Sequence, residues 1–248
     1  MIRVAAVGDI HMAPESQGTL RPSFDTLPEC ADVLLLAGDL TRHGTPEEAA
    51  VVAREIEGLA VPVVAVLGNH DHHDERPEEV TAILRDAGAH VLEGEAVVVT
   101  AGGARIGVAG TKGFGGGFVG RCAGEFGEPL MKEFVRYTRR SADALHGALK
   151  DLGGRDCDVR IALTHFAPVP DTLAGEPLEI YPFLGSYLLA EAIDTGGADL
   201  AVHGHAHAGT EHGMTSGGVR VRNVAQPVIG QAFHVYHLPG GPDPQQGA

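Results

Sequence analysis

Basic side chains are scarce in this chain: 18 Lys and Arg stand against 33 Asp and Glu, a formal net charge of −15. A protein that grips a nucleic-acid backbone normally presents a basic face, so this balance argues against long DNA or RNA as a partner. It leaves room for a small anionic substrate, because bound divalent cations would reverse the local field. There are only three cysteines, Cys30, Cys122 and Cys157, widely spaced and odd in number. They form neither a disulfide framework nor a Cys-x-x-Cys metal motif, and a reducing compartment is the simplest expectation. No apolar run reaches the length needed to span a bilayer. The chain opens directly on the strand-like Ile2–Val7, with no charged-then-apolar leader. A soluble, cytoplasmic protein is therefore expected. Aromatics make up 5% of the residues and Trp is absent. Nothing in the pattern specifies an oligomeric state.

What is present points to one large α/β domain. The 248 residues are 44% hydrophobic and 21% charged, ordinary for a globular chain with a substantial core. The 35 glycines imply many tight turns. Ile2–Val7, Val33–Ala37 and Val63–Leu67 are short apolar runs, each ending in Gly, and read as buried strands. Thr45-Pro46-Glu47-Glu48 reads as a helix start running to about Leu59, with a Thr cap, Pro at the first position and Glu three residues after the cap. Arg76-Pro77-Glu78-Glu79 opens another helix, ending near Gly88. Val97–Thr100 and Arg105–Ala109 read as a hairpin around Gly102-Gly103. Val159–Leu163 leads into His165, and Val219–Val224 and Phe233–His237 read as closing strands. Residues 1–238 are expected to form one domain. Residues 112–153, a Gly-rich run followed by a helix from about Glu128 to Leu152, are expected as a lid-like insertion over the site. Residues 239–248 are expected to be a disordered tail.

Five clusters of ligand-type residues run along this frame: Gly8-Asp9-Ile10-His11, Gly38-Asp39, Gly68-Asn69-His70-Asp71, Thr164-His165 and Gly204-His205-Ala206-His207. The first three each follow an apolar strand, which places them together at strand carboxyl ends, where open α/β sheets build their sites. Carboxylate, carboxamide oxygen and imidazole together suit a pair of hard or borderline divalent cations. Hydrolysing a phosphoester needs a nucleophile at neutral pH and neutralisation of phosphoryl charge, and two cations supply both. Asp9 and His11, two apart at a strand end, can turn toward one metal. Asp39 is the best bridging carboxylate, Asn69 offers an amide oxygen, and His165, His205 and His207 offer imidazoles. His70 is free to face the substrate and assist the leaving group. Asp71 is expected to orient the His70 ring and raise its basicity.

The ordered set D-x-H, GD, GNH[D/E], H, GHxH resembles the calcineurin-like metallophosphoesterase superfamily, and the resemblance covers residues 8 to 207. It implies a four-layer αββα sandwich of two mixed β-sheets flanked by helices. It implies a first metal held by Asp9, His11, Asp39 and His207, and a second held by Asp39, Asn69, His165 and His205. It also implies in-line attack on phosphorus by a metal-bound hydroxide, with His70 assisting. Protein Ser/Thr phosphatases of the superfamily carry GDxxDRG. Here Arg42 stands at that Asp and His43 at that Arg, and the third cluster ends in Asp71, not Glu. These departures look more like the class III cyclic-nucleotide phosphodiesterase and small-phosphodiester branch. The expected activity is hydrolysis of small phosphodiesters or phosphomonoesters, the diester more than the monoester. The metals are drawn from Mn, Fe, Zn, Co or Ni. A DNA nuclease of the same superfamily would need a basic track and usually a capping domain. A non-enzymatic scaffold would be expected to have lost ligands.

Other residues read more plainly. His203 is expected to be a satisfied buried histidine, and His72 and His73 to lie in a solvated loop. Gly115, Gly117 and Gly120 fit G-x-G-x-x-G, but no helix opens from them, so a mobile lid is the expectation over a dinucleotide site. Lys112, Arg42 and Arg121 are candidates to meet an anionic substrate or, equally, surface charges. The Pro- and aromatic-rich loop after His165 either walls the pocket or serves as a crossover.

Overall fold

The structure, a computed structural model, describes residues 1–240. The tail expected at residues 239–248 thus falls almost wholly outside the described residues. Thirteen strands form two large sheets and one small ribbon. The strands are β1 (Ile2–Val7), β2 (Val33–Ala37), β3 (Val63–Val66), β4 (Ala89–Val91), β5 (Glu95–Ala101), β6 (Ala104–Thr111), β7 (Gly117–Phe118), β8 (Arg121–Cys122), β9 (Val159–Thr164), β10 (Leu200–His203), β11 (His212–Met214), β12 (Arg220–Asn223) and β13 (His234–Leu238). The first sheet has the order β13-β1-β2-β3-β4, parallel except for β13. The second has the order β11-β12-β10-β9-β6-β5, with four parallel central strands and antiparallel edges.

The central strands β2 and β3 are apolar throughout because both of their faces are covered. Along β1 and β2, Val4, Ala6, Val33 and Leu35 point inward against Ile106, Val108, Ile161 and Val202 of the second sheet. The alternate residues Ala5, Val7, Leu34 and Leu36 face outward and pack on the helices Pro46–Ile56 and Pro77–Asp86. On the far side, Ala109, Ala162 and Ala201 receive Leu145, Leu149 and Leu152 of the helix Pro129–Gly153, with Leu189 and Ile193 of the helix Tyr187–Gly196. Helix, sheet, sheet and helix thus form four layers, the αββα sandwich.

Several local expectations are refined. Thr45 caps its helix through Glu48 N, 3.3 Å away, but the helix ends at Ile56. The Glu48 carboxylate turns to His43, whose backbone N–H donates to it at 2.7 Å. The 102–103 hairpin has β5 paired with β6 from Glu95–Gly110 to Ala101–Ala104. The helix expected to belong to a lid is different: from Ala142 onward it is an outer layer of the sandwich. Its apolar stripe has a whole sheet to cover, and that burial outweighs any role over the site. The segment 113–128, with the β7–β8 ribbon, belongs to neither large sheet and packs Phe118 against Ala167 and Leu184.

Candidate metal centre and its surroundings

Each cluster sits where a strand ends. Asp9 and His11 follow β1, Asp39 follows β2, Asn69 and His70 follow β3, His165 follows β9 and His205 follows β10. The glycines before Asp39, Asn69 and His205 have a steric cause. A Cβ on Gly68 would lie 2.1 Å from Asp39 Oδ1, one on Gly204 2.3 Å from Asp9 Oδ2, and one on Gly38 2.6 Å from His165 Nδ1. The ligand loops approach so closely that only glycine fits between them. The loops are then tied to one another by main-chain bonds: Asp9 N–H donates to Gly38 O at 2.9 Å, and His11 N–H to Asp39 O at 3.0 Å.

This folding brings two groups of donor atoms together. Asp9, His11, Asp39 and His207 form one, and Asp39, His165 and His205 the other, with the atoms of each group within 4.8 Å of one another. Asp39 belongs to both. The Asn69 amide oxygen joins the second group, 3.0 Å from His165 Nε2. Asp39 Oδ1 lies 3.3 Å from His165 Nε2, and Asp9 Oδ1 lies 2.9 Å from His207 Nε2. Asp9, Asp39 and His165 are buried. Backbone donors fix the carboxylates: His70 N–H donates to Asp39 Oδ1 at 2.8 Å, and His205 N–H to Asp9 Oδ2 at 2.9 Å. All seven residues expected as ligands therefore converge on one place. Their donor set of carboxylate, amide oxygen and imidazole fits divalent cations of the Mn-to-Zn range.

Electrostatics fit the same use. Burial opposes charge on Asp39, but His165 and His70 more than offset it and hold the carboxyl well below its usual range. His165 is pushed up to about 9: burial lowers it, and the Asp39 carboxylate overrides burial. His205 is pushed down to about 3, by burial first and His165 second, and burial lowers His11. Neutral imidazole is the form that binds metal, so His205 and His11 are held ready, whereas His165 would exchange its proton for a cation beside Asp39.

His70 stands at the edge of the centre, its Nε2 3.9 Å from Asp39 Oδ2. Its Nδ1 lies 2.7 Å from the Arg42 carbonyl, which fixes Nδ1 as the donor and leaves Nε2 facing outward. The expectation that Asp71 orients this ring is corrected here. Asp71 is fully buried, and its carboxylate accepts from Thr41 Oγ1 at 2.5 Å and from the N–H groups of Thr41 and Gly68 at 2.8 Å each. In the short turn His70–His72 the carboxylate points into the protein and joins the β2 and β3 loops. Burial, with Asp39 nearby, raises its pKa.

Outside the ligands, His203 is buried and satisfied by Gly204 O at 2.7 Å and Thr172 Oγ1 at 2.8 Å. Arg42 is exposed and pairs with Glu15, and Arg121 is exposed in β8. The loop after His165 walls the centre: the Phe166 ring lies 4.3 Å from the His205 ring, and the Phe183 carbonyl 3.3 Å from His205 Nε2. His72 departs from expectation, and Lys112 from one of the two readings left open for it. His72 is half-buried, not solvated, and burial, then Lys112, lowers it to about 4. Lys112 is buried, not on the surface. The one signal for His72 was its place three residues after Asn69 in a tight turn.

Residues 2–209 match the family model for calcineurin-like phosphoesterases. The chain belongs to that family. A Synechococcus sp. protein named as a probable cyclic nucleotide phosphodiesterase is 32% identical over 92 residues, 33% of this chain and 34% of that protein. The aligned part thus spans about a third of that relative's length. Among solved structures, a phosphopantetheinyl hydrolase from Mycobacterium tuberculosis superposes with TM-score 0.63 at 16% identity, covering 98% of this chain and 96% of that one. The protein TT1561 of Thermus thermophilus superposes with TM-score 0.56 at 21% identity, covering 90% and 88%. At these identities the structural matches establish the shared fold. No helix among the described residues is long and apolar enough to cross a membrane.

Proposed function

We propose that this calcineurin-like phosphoesterase is a dinuclear metal-dependent hydrolase of small phosphoesters, preferring diesters, that acts in the cytoplasm. One observation carries this reading: Asp39 belongs to two ligand groups at once. A single carboxylate shared between two donor sets is what a cation pair requires. Divalent cations at such a centre supply a nucleophile at neutral pH and offset charge on the phosphoryl oxygens. The chain's own residues do the rest. Backbone N–H groups hold Asp9 and Asp39 in place before any substrate arrives. The Arg42 carbonyl pins Nδ1–H of His70, so Nε2 is the atom that meets the leaving oxygen, and as the imidazolium the ring gives its Nε2 proton to that oxygen and keeps the one on Nδ1. The wall of Phe166 and Phe183 limits water beside His205. Preference for diesters is supported by Arg42, His43 and Asp71 at the positions that depart from the protein-phosphatase pattern. The name of the Synechococcus relative agrees.

The test is turnover of a phosphodiester and a phosphomonoester with one chromogenic leaving group, in protein loaded with Mn²⁺. Faster hydrolysis of the diester is expected, and faster hydrolysis of the monoester would reverse the preference. His70→Ala is expected to keep its metal and lose roughly 10²- to 10⁴-fold in kcat on a poor leaving group. Full turnover by the metal-loaded variant would remove His70 from the mechanism.

A further inference from the structure

Lys112 is the only lysine or arginine buried among the described residues, at 5% exposure in a chain of net charge −15. It follows β6 directly and sits against the second ligand group. The N–H groups of His165 and Phe166 both donate to its carbonyl at 3.0 Å. Its ammonium lies 5.0, 5.3 and 5.4 Å from the ring centres of Phe114, Tyr137 and Phe166. Aromatic faces attract a cation but accept no hydrogen bond of ordinary strength. No carboxylate among the described residues pairs with Nζ. The nearby Glu93 accepts instead from Thr111 Oγ1 at 2.8 Å and from the Lys112 backbone N–H at 3.0 Å.

Nζ therefore makes no hydrogen bond to the described residues. Yet no buried side-chain nitrogen or oxygen among them is both sealed from water and without a partner, so the ammonium keeps access to solvent. The half-buried His72 ring is likewise without a hydrogen bond among the described residues. Lys112 is the leading charge acting on His72, and the Asp39 carboxylate acts on both. Lys112 and His72 are thus near enough for charge on one to act on the other, and neither belongs to the ligand set. A largely buried ammonium whose three donors meet no protein acceptor can offer them to an anion that displaces its water.

We propose that Lys112, assisted by His72, forms a subsite for a second anionic oxygen group of the substrate, separate from the phosphoryl group attacked at the metal centre. The inference rests on the phosphoesterase function proposed above and narrows its substrate class to esters carrying a further carboxylate or phosphate. The second group would sit apart from the scissile phosphoryl group: the Phe166 ring adjoins both places, its centre 5.4 Å from the ammonium and 4.3 Å from the centre of the His205 ring.

The test compares 4-nitrophenyl phenyl phosphate with its analogues bearing a carboxylate or a phosphate on the phenyl arm, on Mn²⁺-loaded protein. The wild type should favour one charged analogue by roughly tenfold in KM, the scale of a charge-assisted hydrogen bond. Which analogue is favoured distinguishes a carboxylate from a phosphate. Lys112→Met should erase that ratio through KM, and Lys112→Arg should keep part of it. Calorimetric titration with 3-phosphonopropionate and ethylphosphonate reads the same subsite without turnover, and the ratio of the two affinities should follow the same order. Should Lys112→Met fail to fold, His72→Ala, on a less buried side chain, is expected to lower both ratios. Equal binding of the paired probes by the wild type would overturn the subsite. So would a proportionate loss of all substrates in Lys112→Met with its metal retained. If the wild type bound no metal and turned over no ester, the proposed function would fail, while the calorimetric ratio would still decide the subsite.

Discussion

Four of the five non-glycine residues with left-handed backbone among the described residues are candidate ligands: Asp9 at φ 57°, His11 at 41°, Asp39 at 50° and His205 at 72°. Each such conformation costs on the order of 1–3 kcal/mol and persists only where the surroundings over-determine it. Here the surroundings are the main-chain bonds between ligand loops and the glycines that let those loops touch. The candidate ligands are thus held in a strained conformation by contacts made elsewhere in the fold. At this scale Gly68→Ala is expected to displace Asp39, with which its Cβ would collide at 2.1 Å. Elemental analysis should show metal lost from that variant although it still folds, and full occupancy would contradict the packing explanation. That these residues would meet was legible in the sequence because Gly-Asp, Gly-Asn-His and Gly-His each follow an apolar strand. The direction of a side chain in a tight turn was not legible. Asp71 follows His70 directly, but the turn sends its carboxylate inward to Thr41, and the orienting partner of His70 is a backbone carbonyl that leaves no mark in the sequence.

Among the elements, the helix Pro129–Gly153 shows what periodicity can and cannot tell. Its amphipathic stripe was readable, and its limits were expected to within a residue or so. Which surface the stripe covers was not readable, because a stripe states that a face is buried and not against what. Its neighbours settle this, since Leu145, Leu149 and Leu152 fill the outer face of the second sheet. Leu149→Ala is therefore expected to cost about 2–5 kcal/mol of stability, as a core truncation does. Denaturant unfolding measures this, and a cost near zero would mean that the helix lies over the site and not in the core. The Gly-rich segment before the helix was also ambiguous, because a G-x-G-x-x-G spacing occurs in loops with no phosphate role. The β7–β8 ribbon that it forms opens no helix.

For the whole molecule, the order of the strands carries the account. Two sheets packed face to face put the carboxyl ends of β1, β2, β3, β9 and β10 at one edge of the sandwich, so residues from position 9 to position 207 meet there. The acidic balance of the chain is compatible with an anionic substrate at that edge, because cations bound there, with Lys112, would make the local field positive. Away from the centre, Arg3 joins β1 to the loop before β2: its Nη2 donates to Asp32 Oδ1 at 2.7 Å and its N–H to Asp32 Oδ2 at 2.8 Å. Burial alone would raise Asp32, but Arg3 outweighs it and the carboxyl titrates below its ordinary value. A depressed acid contributes stability that is present above its unfolded pKa and is lost as pH falls through the folded one. Thermal melts should accordingly show Asp32→Asn destabilised by about 1 kcal/mol at neutral pH. The gap to wild type should close as the solution is acidified below about pH 4. A gap independent of pH would mean that the pair contributes by packing alone.

The central claim is that Asp39 is shared by two cations, and metal stoichiometry tests it most directly. After loading with Mn²⁺ and removal of free ion, elemental analysis should find about two metals per wild-type chain. His11→Ala and His205→Ala, which take one donor from opposite groups, should each fall toward one. A single metal in the wild type, or loss of both metals from either variant with the fold intact, would contradict two sites meeting at Asp39.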